Sequence, residues 1–245
     1  MSEIDYTIQY RRWNESTPEF FAAHASFFKK LLGDIVSSLP KDAQVLDYGC
    51  GYGLLSFYLK QEFQHVLSVD SSPQQIAVAQ GMGLNAEVVA IDAFEGWAAS
   101  NVDRFDAIFL FDVLEHVPVN QQIAFLRTLS ATLKMGGQFL VKVPNANSLM
   151  AARWRYIDWT HTSSFTEASL DFVCLNAGLA QPEYLRDDSS MRPRLRWLPR
   201  PSLARYYLRV LLRSLWKLYL FAELGAQVKQ ITVGYNLFAR TTRLR

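Results

Sequence analysis

A glycine-rich turn between a strand and a helix is the feature that most constrains the fold of this chain. The apolar run Gln44–Tyr48 reads as a buried strand, and Gly49, Gly51 and Gly53 follow it at two-residue spacing. Such a turn lets a ligand approach the backbone where no Cβ is in the way. Asp70 ends the next apolar run about 20 residues later, where an acid suits a ribose diol. The unit predicts a nucleoside site.

The glycine spacing also says which nucleoside ligands to expect. It is G-x-G-x-G followed by Leu54, not the G-x-G-x-x-G that places a pyrophosphate at a helix N-terminus. The chain has no G-x-x-x-x-G-K-[ST] motif either. A nucleoside without phosphates is therefore favoured, and a nicotinamide-dependent oxidoreductase is a weaker alternative.

Strand and helix patterns alternate along the chain, which predicts an α/β fold with a mostly parallel sheet and helices on both faces. The predicted strands are Gln44–Tyr48, His65–Asp70, Ala86–Ile91, Phe105–Phe111, Gly137–Val143, Pro182–Arg186 and Ile231–Thr241. The predicted helices are Glu19–Ser38, Leu54–Gln61, Pro73–Met82, Asn120–Leu133 and Glu167–Ala177, with Gly136 and Gly137 as stop signals after the fourth.

The length of 245 residues, half of them apolar, suits a single domain over 1–245. Within it we expect an N-terminal helical lid at 1–40 and a basic, aromatic helical insertion at 187–230. Ser189–Ala222 holds eight basic residues and no acid, leaving 17 basic and 23 acidic residues elsewhere. Cys50 and Cys174 are expected to be reduced. With no signal peptide or uncharged apolar span in the sequence, the cytoplasm is the expected compartment.

Five motifs resemble those of class I S-adenosylmethionine-dependent methyltransferases, over residues 19–185 and 231–242. They read VLDYGCGYG, VLSVDSSP, VVAIDAFE, FDAIFLFDVLEHV and LKMGGQFLVKVPN, in the family's order. The resemblance implies a Rossmann-like, seven-stranded sheet whose last strand is antiparallel, with a helical insertion before that strand. It also implies S-adenosylmethionine as cofactor, bound at the carboxyl ends of the strands.

The resemblance implies a role for each acid at a strand end. Asp47 and the Gly49–Gly53 backbone would face the methionine moiety, Asp70 would accept the ribose hydroxyls, and Asp92 and Ala93 would flank the adenine. Further cofactor contacts are expected at Cys50, Ser71 and Phe111. The plainer interpretation is that Asp70 and Asp92 only end strands and cap helices.

Candidate acceptor-side residues follow the fourth predicted strand and lie in a later loop. Asp112, Glu115 and His116 would share one face of a helical turn, while Asp158 and His161 lie in the loop after Val143. Removal of a hydroxyl proton near neutral pH suits histidine. We expect His161 to be the base, with His116 second and Asp158 as a supporting catalytic residue; either histidine could instead only bond a loop carbonyl.

A divalent metal is an alternative for the same residues. Asp112, Glu115, His116 and His161 resemble the E-x-x-E-H plus distant histidine set of RNA 3′-terminal 2′-O-methyltransferases and some ubiquinone-pathway O-methyltransferases. There the ion grips a diol or catechol and lowers the pKa of the acceptor. Asp112 stands where that set has glutamate, which shortens the reach.

The loop around His161 resembles methyltransferases of bacterial surface-polysaccharide pathways, through Arg155, Asp158, Thr160, His161, Phe165, Thr166, Ser169 and Leu170. This predicts O-methylation of a sugar hydroxyl on a surface glycan or its lipid-linked precursor. Trp154, Tyr156 and Trp159 could stack on a pyranose or pack the loop. The alternatives are a quinone-pathway or other small-molecule O-methyltransferase, and a non-catalytic, nucleoside-binding partner that docks on membranes.

The segment 203–222 reads as a helix whose only charges are Arg205, Arg209, Arg213 and Lys217, at four-residue spacing. Four cations disfavour spanning a bilayer. They fit an interfacial helix on an anionic membrane surface, which would place the protein at the inner face of the membrane. The alternative is a helix packed on the domain or on a partner subunit, as in a homodimer, with the cations solvated. No nucleic-acid partner is expected, because no RNA-binding module is visible.

Overall fold

The computed structural model describes residues 17–185 and 201–244, which form a seven-stranded sheet with helices around it. This confirms the predicted fold class. The strands are β1 Gln44–Tyr48, β2 His65–Asp70, β3 Ala86–Val88, β4 Phe105–Phe111, β5 Leu133–Pro144, β6 Glu183–Leu185 and β7 Asn236–Thr242. The helices are α1 Pro18–Ser37, α2 Leu54–Glu62, α3 Pro73–Gly81, α4 Phe94–Ala99, α5 Gln122–Ser130, α6 Ala151–Tyr156, α7 Glu167–Asn176 and α8 Pro201–Leu224.

The strand order is β3-β2-β1-β4-β5-β7-β6. The first five strands in this order pair in parallel, whereas β7 is antiparallel to both β5 and β6. The last strand is thus antiparallel, as expected. Parallel pairing brings the carboxyl ends of β1, β2, β4 and β5 to one edge of the sheet, where ligands bind in open α/β sheets.

Two hydrophobic clusters cover the two faces of the sheet. One joins α1 and α2 to β1 and β4, and the other joins α5 and α7 to β4 and β5. Helix α1 belongs to the first cluster: Phe21 is fully buried, and its ring lies 5.4 Å from that of Phe57. Tyr10 and Trp13, which the sequence places in a lid over the acceptor, lie outside the described residues, as do 187–200.

Three predicted boundaries are wrong, each because of local backbone chemistry. Strand β3 ends at Val88, since Ile91–Ala93 forms a 3-10 turn. Strand β5 begins at Leu133, because Gly136 adopts φ 74° at an irregularity in the pairing with β4 and the strand continues beyond it. Strand β7 begins at Asn236, since residues 231–235 form an irregular segment that ends in a bend.

Helix α8 forms the helical insertion between β6 and β7, as predicted, and spans 24 residues. Across the described residues, no helix combines the length and the apolar character needed to cross a bilayer.

Candidate active site

The glycine turn after β1 is held against β2 and against the segment that follows β4. Gly49 and Cys50 donate their amides to the Val69 carbonyl, at 2.7 and 3.0 Å. Gly49 has φ 74°, and a Cβ added there would lie 2.2 Å from Cγ2 of Val113. Only glycine fits this position, because both the left-handed backbone and the packing exclude a side chain.

Asp70 at the end of β2 is fixed to this turn by backbone hydrogen bonds. Its Oδ2 accepts from the Gly51 amide at 2.8 Å, and its Oδ1 accepts from the Ser72 amide at 2.9 Å. Burial raises the pKa of Asp70, and the amides of Ser72, Gly51 and Ser71 partly oppose that. Each carboxylate oxygen keeps a second lone pair, so the geometry leaves two acceptors available for a vicinal diol.

Asp47 lies deeper, at the start of the same turn. It is 2% exposed, and its Oδ2 accepts a hydrogen bond from Ser56 Oγ at 2.5 Å. Burial raises the pKa of Asp47 to about 7, and the nearby Asp70 charge adds to this. Burial and these two carboxylates also raise the pKa of the Cys50 thiol well above its ordinary value. The turn is therefore a place where added positive charge is favourable.

The adenine-side residues lie in the 3-10 turn after β3. Asp92 and Ala93 are both exposed there. Ile91 lies directly before them, and its side chain is 83% exposed. Ile91 was not among the candidate site residues named from the sequence, although an apolar residue directly before Asp92 was the available signal. Phe111, by contrast, is buried, with its ring edge-on to Phe238 at 5.4 Å. Its expected cofactor contact stays a prediction.

Asp112 leaves β4 in a strained conformation. It is a non-glycine residue with φ 57°, its amide donates to the Lys142 carbonyl at 2.9 Å, and its carboxylate lies 2.5 Å from Lys142 Nζ. Strain of this kind clusters at functional sites. The helical face expected for Asp112, Glu115 and His116 does not form, because the segment continues as a short 3-10 turn, Leu114–His116.

Glu115, His116 and His161 form a compact group, with potential ligand atoms all within 4.8 Å of one another. Asp112 is not part of it. Glu115 is 1% exposed, its Oε1 lies 3.9 Å from His161 Nε2, and its Oε2 has no hydrogen-bond partner among the described residues. Burial and the Asp112 charge raise the pKa of Glu115. Burial and the neighbouring His161 lower the pKa of His116 to about 4.

The His161 ring has a defined proton arrangement. Its Nδ1 lies 2.9 Å from the Trp154 carbonyl, which can only accept. In the neutral ring Nδ1 therefore carries the hydrogen, and Nε2, on the side of Glu115, carries the lone pair. The loop carbonyl fixes the orientation of the ring, and the role of His161 as a base stays a prediction.

The loop that carries His161 is clamped to the segment after β4. Thr162 donates through its amide and its Oγ1 to the Glu115 carbonyl, at 2.7 and 2.9 Å. Buried Asp158 accepts from the amide and the hydroxyl of Thr160, at 2.8 and 2.6 Å. The Thr160 hydroxyl in turn lies 2.8 Å from His116 Nδ1. Asp158 thus shapes the turn that presents His161, without touching its ring through any of these bonds.

The three aromatic residues of the loop, Trp154, Tyr156 and Trp159, differ in how they pack. Trp154 packs on Tyr235, with ring centroids 5.7 Å apart. Tyr156 and Trp159 are 76% and 93% exposed. The Arg155 guanidinium lies over the Tyr156 ring, 5.0 Å from its centroid, so Trp159 offers the more open ring in the loop that carries His161.

Known proteins resemble this chain in sequence and in fold. Residues 19–181 match the family described as "Methyltransferase domain", and the match covers both the glycine turn and the histidine loop. The chain belongs to this methyltransferase family. The predicted resemblance to methyltransferases is thereby confirmed.

Curated relatives match part of this methyltransferase. A ubiquinone biosynthesis O-methyltransferase of Xylella fastidiosa is 39% identical over 106 residues, which is 42% of each chain. An uncharacterized methyltransferase of Schizosaccharomyces pombe is 31% identical over 127 residues, covering 50% of this chain and 48% of the relative. The matched regions thus span about half, or less, of these relatives' length.

Solved structures share the fold over nearly the whole chain. A SAM-dependent methyltransferase from Archaeoglobus fulgidus superposes with a TM-score of 0.63 at 18% identity, covering 98% of this chain and 100% of that one. The plantazolicin methyltransferase BamL, in complex with SAH, gives 0.57 at 19% identity, covering 97% and 89%. At these identities the likeness establishes the fold.

Proposed function

We propose that this methyltransferase uses S-adenosylmethionine to methylate a hydroxyl oxygen. The observation that carries the proposal is the link between Asp70 and the glycine turn, with Val113 packed against Gly49. This link brings the Asp70 carboxylate, which we propose as the acceptor of the ribose hydroxyls, next to the segment that holds Glu115, His116 and, through Thr162, His161. A nucleoside cofactor and a base can thus share one edge of the sheet.

The acceptor we propose first is a quinone-pathway or related small molecule that carries a hydroxyl. The support is the name of the Xylella relative, a ubiquinone biosynthesis O-methyltransferase. A sugar hydroxyl of a glycan or its precursor is a second candidate, which the exposed rings of Tyr156 and Trp159 favour, because an open aromatic face can stack on a sugar ring.

The transfer itself breaks the sulfur–methyl bond of the sulfonium and forms a carbon–oxygen bond, leaving the neutral thioether. The acceptor proton passes to His161 Nε2, the nitrogen that carries the lone pair. Buried Asp47 would favour the positively charged cofactor over the neutral product. Orientation of the hydroxyl in line with the methyl group supplies the remaining rate enhancement.

A divalent ion is the alternative use of the same group. Glu115, His116 and His161 offer one oxygen and two nitrogens, a donor set that suits Zn²⁺ or a related ion, and the buried Glu115 Oε2 lacks a partner among the described residues. When bound, such an ion would polarise the acceptor hydroxyl. His161 cannot use Nε2 both as ligand and as free base, so the two roles are separable.

The test is incubation of the purified enzyme with methyl-labelled cofactor and a panel of acceptors. The panel holds catechol-type quinone precursors, nucleotide sugars and glycolipids, and products are read by mass spectrometry. We expect the labelled methyl group on a phenolic oxygen. We also expect Trp159→Ala to lower turnover for sugar acceptors only. Labelling of nitrogen or carbon, or of no acceptor while the cofactor binds, would contradict O-methylation.

Metal analysis of the same preparation separates the two roles of His161. We expect chelation with EDTA to leave turnover unchanged. Stoichiometric bound metal whose removal abolishes turnover would instead make His161 a ligand.

A further inference from the structure

Helix α8 turns its apolar side away from the protein. Leu208, Leu211, Leu215 and Leu218 recur on one side of the helix and are 55%, 55%, 53% and 64% exposed. Tyr207, Tyr219 and Phe221, which flank them, are 58%, 52% and 55% exposed. An apolar face of this extent on a soluble protein marks an interaction surface.

The cations of the helix lie on the opposite side, toward the body. The guanidinium carbons of Arg213 and Arg209 lie 4.8 and 5.7 Å from the ring centroid of Tyr235. Trp216 Nε1 on the same side donates to the Asn147 carbonyl at 2.9 Å. The expectation of a solvated cationic stripe is therefore wrong for its centre. Tyr235 offers these guanidiniums a π face, which attracts cations.

A cavity of about 250 Å³ lies where these cations meet the segment before β7. Arg209, Arg213 and Lys217 line it together with Tyr206, Ser214 and Val233, and no acid lines it among the residues that the structure describes. Arg213 Nη2 is buried and has no hydrogen-bond partner within the described parts of the chain. A buried guanidinium N–H without an acceptor is costly, and phosphate oxygens match its fork geometry.

We propose that α8 docks the protein on an anionic phospholipid membrane, with its leucine face among the acyl chains and a lipid phosphate in the Arg209–Arg213–Lys217 cavity. Charge complementarity selects this occupant, since the buried Arg213 Nη2 has no acceptor among the described residues and lies, with the Lys217 ammonium, on a helix with an apolar face. An interfacial helix has this distribution, with the apolar face buried and the cations at headgroup level. Tyr235 connects the cavity to Trp154, whose carbonyl orients His161.

The experiment is co-sedimentation of the full chain with phosphatidylcholine vesicles, with and without phosphatidylglycerol. We expect binding only to the anionic vesicles, weakened more than tenfold by Arg213→Gln. The matched control is Arg205→Gln, because Arg205 is exposed one turn or more away on the same helix and does not line the cavity. General surface attraction is worth about 1 kcal/mol per cation, or about fivefold, wherever the cation lies.

A second pair of variants tests the apolar face. Leu211→Gln with Leu215→Gln should abolish vesicle binding, while Leu175→Gln, at an exposed leucine on α7, should leave it intact. Circular dichroism checks that each variant is folded. If Arg213→Gln misfolds, Lys217→Gln replaces it, with the same expected loss.

Four outcomes would overturn the proposal. One is equal binding to neutral and anionic vesicles, and another is equal loss for Arg205→Gln and Arg213→Gln. The third is tight binding of inorganic diphosphate with no vesicle binding, which would assign the cavity to a soluble phosphate. The fourth is a dimer that forms without vesicle binding and that Leu211→Gln with Leu215→Gln abolishes, which would assign the apolar face of α8 to a second copy of the chain. None of these readouts uses cofactor or acceptor, so they leave the proposed O-methylation to its own test.

Discussion

Asp47 is a carboxyl group whose charge state the cofactor can change. Burial raises its pKa to about 7, so a large fraction is protonated near neutral pH, whereas a bound sulfonium or ammonium favours the ionised form. Binding then requires loss of a proton. We predict that affinity for S-adenosylmethionine falls about tenfold per pH unit below the pKa, as measured by calorimetry between pH 6 and 8.

Asp47→Asn is the control for that titration, because an amide carries no titrating proton. Its affinity should be lower at pH 8 and flat with pH. A wild-type affinity that is flat across the same range would show that Asp47 does not face the charged part of the cofactor.

The same pKa has a consequence for stability. A carboxyl whose folded-state pKa lies above its unfolded value binds more protons when folded, so stability falls as pH rises from about 4 to about 7. Asp47→Asn should therefore stabilise the ligand-free protein at pH 8, by up to about 4 kcal/mol for a shift of about three pKa units at 1.4 kcal/mol each. At pH 4, near the unfolded-state pKa, it should have little effect. Urea denaturation at both pH values measures this, and equal effects would contradict it.

We expect His161 to act in the catalytic step and not in cofactor binding. We predict that His161→Ala lowers turnover at least about tenfold, or 1.4 kcal/mol, and leaves cofactor affinity within about twofold. His65→Ala, at an exposed histidine that begins β2, should change neither quantity. Turnover and binding are measured separately, by labelled methyl transfer and by calorimetry. Full turnover in His161→Ala would place the base elsewhere.

At the scale of residues, the sequence identified the groups whose positions follow from strand ends. Asp70 meets Gly51 because parallel strands end at one edge. The sequence could not reveal that Asp112 pairs with Lys142 and leaves the histidine group, since that depends on a strained φ and on a neighbouring strand. Ile91 was missed for a related reason: its exposure follows from β3 ending three residues early.

At the scale of elements, the glycine turn makes a stability prediction. Gly49→Ala must adopt a left-handed backbone and displace Val113, which should cost about 2–4 kcal/mol from strain and overpacking. Gly33→Ala lies inside α1 with nothing within 4 Å of the added Cβ, and should stabilise by about 0.5–1 kcal/mol. Denaturant midpoints compare the two. A neutral Gly49→Ala would mean that the turn relaxes without cost.

Glycine also explains where element prediction from sequence failed. After α5, Gly136 and Gly137 look like helix terminators, yet the chain is already a strand from Leu133 and Gly136 only accommodates the irregularity. A left-handed glycine has the same sequence signature at a helix end and at a strand irregularity. Its partner strand decides between them, and that partner is distant in sequence.

At the scale of the whole molecule, the sheet was predictable and the seating of α8 was not. The seven strands follow from local patterns, and the antiparallel last strand follows from the family resemblance. The side of α8 that faces the body depends on Tyr235, which offers its ring to Arg209 and Arg213. Charge patterning alone left those cations either at a membrane surface or in solvent. The helix was correctly expected, but the exposed surface it creates is apolar.

The whole molecule also provides the test of the cofactor assignment. A ligand that binds only the folded chain stabilises it by about 2.7 kcal/mol at one hundred times its Kd. For a chain of this size that is roughly 5–11 °C in Tm. We predict such a shift with S-adenosylhomocysteine and none with NAD. Asp70→Asn, which keeps an oxygen but loses the second diol acceptor, should reduce the shift strongly. If neither S-adenosylmethionine nor its demethylated product shifts Tm, the pocket built around Asp70 and Gly51 does not hold this cofactor.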